Sequence, residues 1–127
     1  MRFNSELLEF TGWMGLILLG MCLINFLVKG KSDSQLISFA RRNHKIIGWL
    51  SLVVLSVHGF LAYSAALPTL GRGRHYHLLV TIGWGQITWA VLLIICVSSL
   101  VLSYKIFKRG HLLMVMLLAL LVFIHVL

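Results

Sequence analysis

Apolar and polar positions alternate along this chain in long blocks, not in the short periods of a soluble helix or strand. Four apolar stretches, about Leu7 to Val28, Ile46 to Leu67, Leu78 to Tyr104 and Leu112 to Leu127, are separated by three polar connections. A helix needs roughly 17–25 apolar residues to cross a bilayer. The pattern therefore predicts an all-α protein, a four-helix transmembrane bundle forming one domain over residues 1–127, with helices at about 7–28, 44–67, 77–104 and 111–127. Pro68, Gly71 and Gly73 mark the second connection as a turn, and Gly110 predicts a sharp reversal before the last helix. Short turns make sequential helices antiparallel neighbours. The first connection is longer, and its stretch from Gln35 to Phe39 predicts one turn of interfacial helix with its apolar side on the headgroups.

Composition agrees with the bilayer as solvent: 60% of residues are hydrophobic and only 11% charged, far from the balance of a soluble domain. The net charge of +8 would point to nucleic acid in a soluble protein. Here the cations lie between the apolar stretches, where headgroups and topology explain them, so no nucleic-acid partner is expected. The first and third connections hold eight of them, Lys29, Lys31, Arg41, Arg42, Lys45, Lys105, Lys108 and Arg109, while Arg2, Arg72 and Arg74 fall on the opposite side. The positive-inside bias then predicts a multi-pass protein of the plasma (inner) membrane with both termini outside. No small-residue cleavage site closes the first apolar stretch, which is expected to remain as a membrane helix. Cys22 and Cys96 lie within apolar stretches without C-x-x-C spacing and read as small core residues.

Chemistry enters with the histidines. His44 and His58 in the second helix, and His111 and His125 in the fourth, are separated by the same fourteen residues. At 100° per residue that interval returns to within about 40° of the starting face, and it rises about 21 Å. Each helix thus carries two imidazoles on one face at two depths. The second and fourth helices cross the membrane in the same direction, so His44 is expected to face His111 and His58 to face His125. Two imidazoles opposed across a bundle are what bis-histidine haem ligation requires. A single buried histidine is more often hydrogen-bonded to a neighbouring helix. Random placement of six histidines, however, would give two disjoint pairs at one interval in roughly one sequence in thirty or fewer, and polar residues deep in a bilayer default to a functional reading. Gly48, one turn after His44, and Gly59, directly after His58, offer room for a flat macrocycle, as do the small surfaces at Gly12, Gly15, Gly20, Gly83, Gly85 and Ala90; glycine in membrane helices also serves plain helix packing.

The doubled His-x13-His spacing on two non-adjacent helices resembles the dihaem b-type membrane cytochromes, in particular the ferric-reductase-like transmembrane domain and the four-helix core of cytochrome b and cytochrome b6. The stretch RRNHKIIGWLSLVVLSVHGFLAY is similar in texture to the first ligand helix of such domains, and the likeness runs from about Lys29 to the end. The resemblance implies two haem b groups, electron transfer across the membrane or between a quinone and a partner redox protein, and partner subunits of a larger oxidoreductase. Flavin and nicotinamide sites of the reductases have no counterpart: Gly71 to Gly73 form a basic turn, and Gly83 to Gly85 lie inside a membrane helix. No quinone-site signature is evident. The expected role is therefore an electron-transfer subunit and not a complete enzyme.

Secondary assignments follow. Arg72 and Arg74 in the outer turn, and Arg41 at the inner edge with Arg42 and Lys45, are candidates for pairing with haem propionates. His75 and His77 read as interfacial, with Tyr76 anchoring the headgroup region. Gln86 is expected to bond across the bundle in preference to touching a quinone. The methionines read as filler and the tryptophans carry no redox role. Because the sequence stops two residues after His125, the Leu127 carboxylate is expected below the membrane surface, paired with Arg72 and Arg74. Two rival readings use the same histidines: a small transporter that relays protons or binds a transition metal, for which helix-borne acidic residues would be expected and none follows Asp33, and a cofactor-free anchor subunit.

Overall fold

The structure, a computed structural model, describes residues 2–28, 34–67 and 76–127. Among these residues the regular elements are all helices: α1 (Arg2–Leu27), α2 (Gln35–Arg42), α3 (His44–Ala66), α4 (Tyr76–Val101) and α5 (Tyr104–Val126). Four of the five are long and apolar enough to cross a membrane, over Ser5–Ile24, His44–Ala66, Val80–Val101 and Tyr104–Val126. No more than 22% of any span is buried within the structure. Large apolar side chains such as Phe60, Ile46 and Leu113 stand open, and only lipid can cover so much apolar surface without penalty. The protein is a multi-pass membrane protein.

The chain forms two compact units, Met1–His58 and Gly59–Leu127. In the first, α1 runs antiparallel to α3: Gly12 meets His58, Gly15 meets Leu55, and Cys22 lies near Gly48. Gly15 is needed there, because a Cβ at this position would overlap Leu55, with Cγ only 2.8 Å away. In the second unit α4 packs along α5, again antiparallel, with Gly85 against His125. The buried residues of α4 are Thr88, Val91, Leu92, Ile95 and Cys96, the three-and-four spacing of one helical stripe. Both histidine-bearing helices bury their stripe at the residue midway between the histidines: Ser51 in α3 is fully buried, and so nearly is Leu118 in α5. Each midpoint is seven residues from either histidine, two helical turns, so the two histidines of a helix share the face of that buried residue.

Two expectations from the sequence need correction. Gly110 is not a reversal. The chain breaks earlier, where α4 ends at Val101, and Ser103 takes an extended conformation (φ −61°, ψ 147°) as the residue preceding α5. The segment from Tyr104 to Arg109 includes the good helix formers Lys105, Lys108 and Arg109, and a lone glycine costs only about 1 kcal/mol in a helix, too little to break one that continues to Val126. A Cβ at Gly110 would meet nothing within 4 Å. Gly110→Ala is accordingly expected to stabilise the protein by about 0.5–1 kcal/mol, seen as a small rise in the thermal unfolding midpoint in detergent; an unchanged or lower midpoint would contradict a helical Gly110.

The interfacial segment is also longer than one turn. α2 has eight residues and closes at Asn43, whose backbone N–H donates to the Phe39 carbonyl. The Asn43 side chain does the same through Nδ2 at 3.1 Å, and the Asn43 carbonyl in turn accepts from Ile47 at 2.9 Å. One asparagine thus ends α2 and opens α3.

Candidate functional site

The best-defined polar arrangement within the described spans surrounds His58. Its Nδ1 lies 3.0 Å from the Leu8 carbonyl oxygen of α1 and 3.4 Å from Thr11 Oγ1. A carbonyl only accepts, so Nδ1 carries the ring proton and donates it. The Thr11 hydroxyl already donates within its own helix, to the Leu7 carbonyl at 2.8 Å, so toward His58 it offers an oxygen lone pair. With Nδ1 protonated, Nε2 keeps its lone pair.

Gly12 makes this contact possible. Inside α1 the Leu8 carbonyl points toward residue 12, and a side chain there would cover it. A Cβ on Gly12 would stand 2.9 Å from His58 Cε1 and 3.2 Å from Nδ1, closer than ring and methyl can approach. The imidazole therefore rests in the space the glycine leaves open. His125 has the same seat in the second unit. A Cβ on Gly85 would lie 2.8 Å from its Cε1 and 3.3 Å from both ring nitrogens. In each antiparallel pair, then, the later helix lays its distal histidine on a glycine of the earlier one.

The other two histidines are held differently. His44, half-buried at the start of α3, receives the Cys22 thiol on its backbone carbonyl at 3.7 Å. Gly48 lies one turn on, and a Cβ there would come no nearer to Cys22 Sγ than 4.0 Å, an ordinary contact. His111, also half-buried, stacks on Phe107 one turn earlier, with ring centroids 4.6 Å apart and planes tilted by 33°.

The remaining candidates are more loosely placed. Gly59 is exposed, and a Cβ there would meet nothing within 4 Å. Arg41, Arg42 and Lys45 are exposed, and so is Gln86 within α4. Arg72, Arg74 and His75 lie outside the described residues, and with them the proposed pairing to the Leu127 carboxylate; His77 falls in the first turn of α4. Among the described residues no three His, Cys, Asp or Glu side chains gather closely enough to hold a metal ion by themselves.

Sequence reading singled out the four histidines but missed what holds them. Gly12 and Gly85 stood among several glycines with no reason to prefer them, because the seat depends on the antiparallel register. The Leu8 carbonyl has no sequence signal at all. Phe107 did have one, being four residues before His111 on the same helix. Compared with known proteins, the chain matches no protein-family model, no curated protein and no solved structure.

Proposed function

We propose that the chain is a dihaem b-type cytochrome subunit of the plasma (inner) membrane, in which His44 and His111 would hold one haem and His58 and His125 the other, one histidine of each pair coming from α3 and one from α5. The observation that carries this reading is the state of His58. Its Nδ1 lies within hydrogen-bond distance of a backbone carbonyl of α1, and in the neutral ring that donation leaves Nε2 with its lone pair. A metal-ligating histidine almost always donates its other ring N–H in this way, which fixes tautomer and ring orientation and raises the basicity of the ligand.

The donor set fits the group as well. A metal ion bound by protein alone wants about four donors, whereas a haem brings four nitrogens and asks the protein for two. Two histidines at each depth, as the fourteen-residue spacing on the two helices expects, would suit the second case. The glycine seats hold the rings of His58 and His125 against their neighbouring helices, so little ring entropy remains to be lost on ligation. When bound, the group would supply one-electron exchange at iron, while the protein supplies ligands, orientation and low dielectric. The first and third connections, with their eight cations, face the cytoplasm in this reading, and the donor and acceptor of electrons belong to partner subunits or to a quinone.

Haem content tests the proposal. Purified protein is expected to show a Soret band with sharp alpha bands on reduction, and acid acetone is expected to release two haems per chain, since no C-x-x-C-H attachment motif is present. A single haem, a covalent haem, or the lack of any Soret band would overturn it.

A further inference from the structure

The amphipathic helix α2 carries more apolar surface than the protein covers. At 100° per residue, Phe39, Leu36, Ala40 and Ile37 fall on one arc, and Arg41, Ser38, Arg42 and Gln35 on the other. The helix packs against α1, and one end of the apolar arc is used: Ala40 is only 1% exposed and Ile37 is half-buried. The other end is not. Leu36 is 59% and Phe39 54% exposed, although both lie on the apolar arc of a helix that leads directly into a membrane span.

Its charge is equally one-sided. Arg41 sits at one edge of the polar arc, beside Ile37, and Arg42 toward the opposite edge, on the side of Phe39. Lys45 follows at the start of α3, exposed like both arginines, and α2 contains no acidic residue to pair with them. An exposed apolar edge with Arg42 beside it, on a helix whose remaining arc carries Arg41 and no acidic residue, is the profile of a helix lying in the interface, where the apolar side enters the acyl boundary by roughly 5–10 Å and the cations meet headgroups. A guanidinium fork also matches phosphate geometry better than a point charge does.

We propose that α2 is an anionic-phospholipid site: Leu36 and Phe39 insert beside the acyl chains, and Arg41 and Arg42 together hold the headgroup phosphate. The site is independent of haem ligation, and it assigns Arg41 to the bilayer surface in place of a haem propionate. It would tie the α1–α3 connection to the charged leaflet and fix the depth at which α3 enters the membrane.

The full chain in detergent, offered equal amounts of phosphatidylglycerol and phosphatidylcholine, is the test, with retained lipid counted by native mass spectrometry. The protein is expected to retain phosphatidylglycerol preferentially. A basic residue near an anionic surface is worth about fivefold in affinity, so Arg41→Gln with Arg42→Gln is expected to cut the preference by roughly 30-fold, whereas Arg109→Gln on α5 leaves it. Leu36→Ser with Phe39→Ser is expected to weaken retention of both lipids. In vesicles, Phe39→Trp adds indole emission quenched by lipid brominated near its carbonyl end, read against the parent protein. The proposal fails if the double arginine variant keeps the preference. It fails equally if millimolar inorganic phosphate displaces the lipid, which would make this a free-anion site, or if the indole emission added by Phe39→Trp escapes quenching.

Discussion

Gly12→Ala is expected to expel the His58 imidazole from its seat and to lower the affinity of the haem at that level by about two powers of ten. The new methyl would lie 2.9 Å from Cε1 and 3.2 Å from Nδ1. The ring cannot retreat without giving up the Leu8 carbonyl, to which Nδ1 is bound at 3.0 Å. Overpacking a filled contact costs about 1–3 kcal/mol, and a lost hydrogen bond about 1 kcal/mol more. Together they come to roughly 3 kcal/mol, or about a hundredfold in binding. Gly85→Ala is expected to act alike on His125, where the added carbon would meet Cε1 at 2.8 Å. Gly20→Ala is the control, because a Cβ there touches nothing within 4 Å. Haem stoichiometry gives the first readout. Nitrogen-15 spectra of the imidazoles in haem-free protein give the second, by reporting whether His58 keeps its proton on Nδ1. Full haem retention in both alanine variants would show that the seats do not position ligands. An Nδ1–H signal that Gly12→Ala abolishes, in a parent protein that binds no haem, would leave the seat intact and remove the cytochrome.

The fold was legible where one physical signal dominates. Three apolar stretches of spanning length and a fourth of nearly that length correspond to the four spans, because no soluble alternative can bury residues such as Phe60 and Leu113, both exposed in the structure. The signal weakens where small energies compete. Gly110 reads as a turn by residue type, yet it lies within α5, since the helix formers on either side outweigh a cost of about 1 kcal/mol. The single turn expected at Gln35 becomes two because its alternation continues through Ala40 and Arg42, with Asn43 supplying the end. At the candidate site, spacing singled out the four histidines, each of which is half-buried. What supports them was not legible. Leu8 contributes to His58 through a main-chain oxygen, which its side chain does not advertise, and Gly12 matters only because the α1–α3 register brings it opposite His58. Register is a property of two helices packed together, and no local pattern within either one encodes it.

The pairing of ligands across helices yields the second large effect. His44 and His58 are about 21 Å apart along α3 at 1.5 Å per residue, and so are His111 and His125 along α5. Two imidazole nitrogens that held one metal ion would lie within about 4 Å of each other, given a metal–imidazole distance of about 2 Å. No iron can then take both ligands from one helix, and under the proposed ligation each helix gives one histidine to each haem. The topology expected from the distribution of cations has the second and fourth spans running the same way, so the proposal joins histidines at matching depths. His44→Ala and His111→Ala are each expected to abolish one and the same spectral component, and His58→Ala and His125→Ala the other, with near-complete loss because each substitution would remove one of the two residues that hold that haem. The glycine seats add an internal check that histidine variants alone do not offer. The nearest neighbours of a Cβ at Gly12 are imidazole atoms of His58, and those of a Cβ at Gly85 are imidazole atoms of His125, so both glycine variants are expected to weaken the His58–His125 component and to spare the His44–His111 one. Redox titration with resolved alpha bands distinguishes the two. If His44→Ala and His58→Ala remove the same component, the pairing by depth is wrong; if Gly12→Ala and Gly85→Ala weaken different components, His58 and His125 do not share a haem.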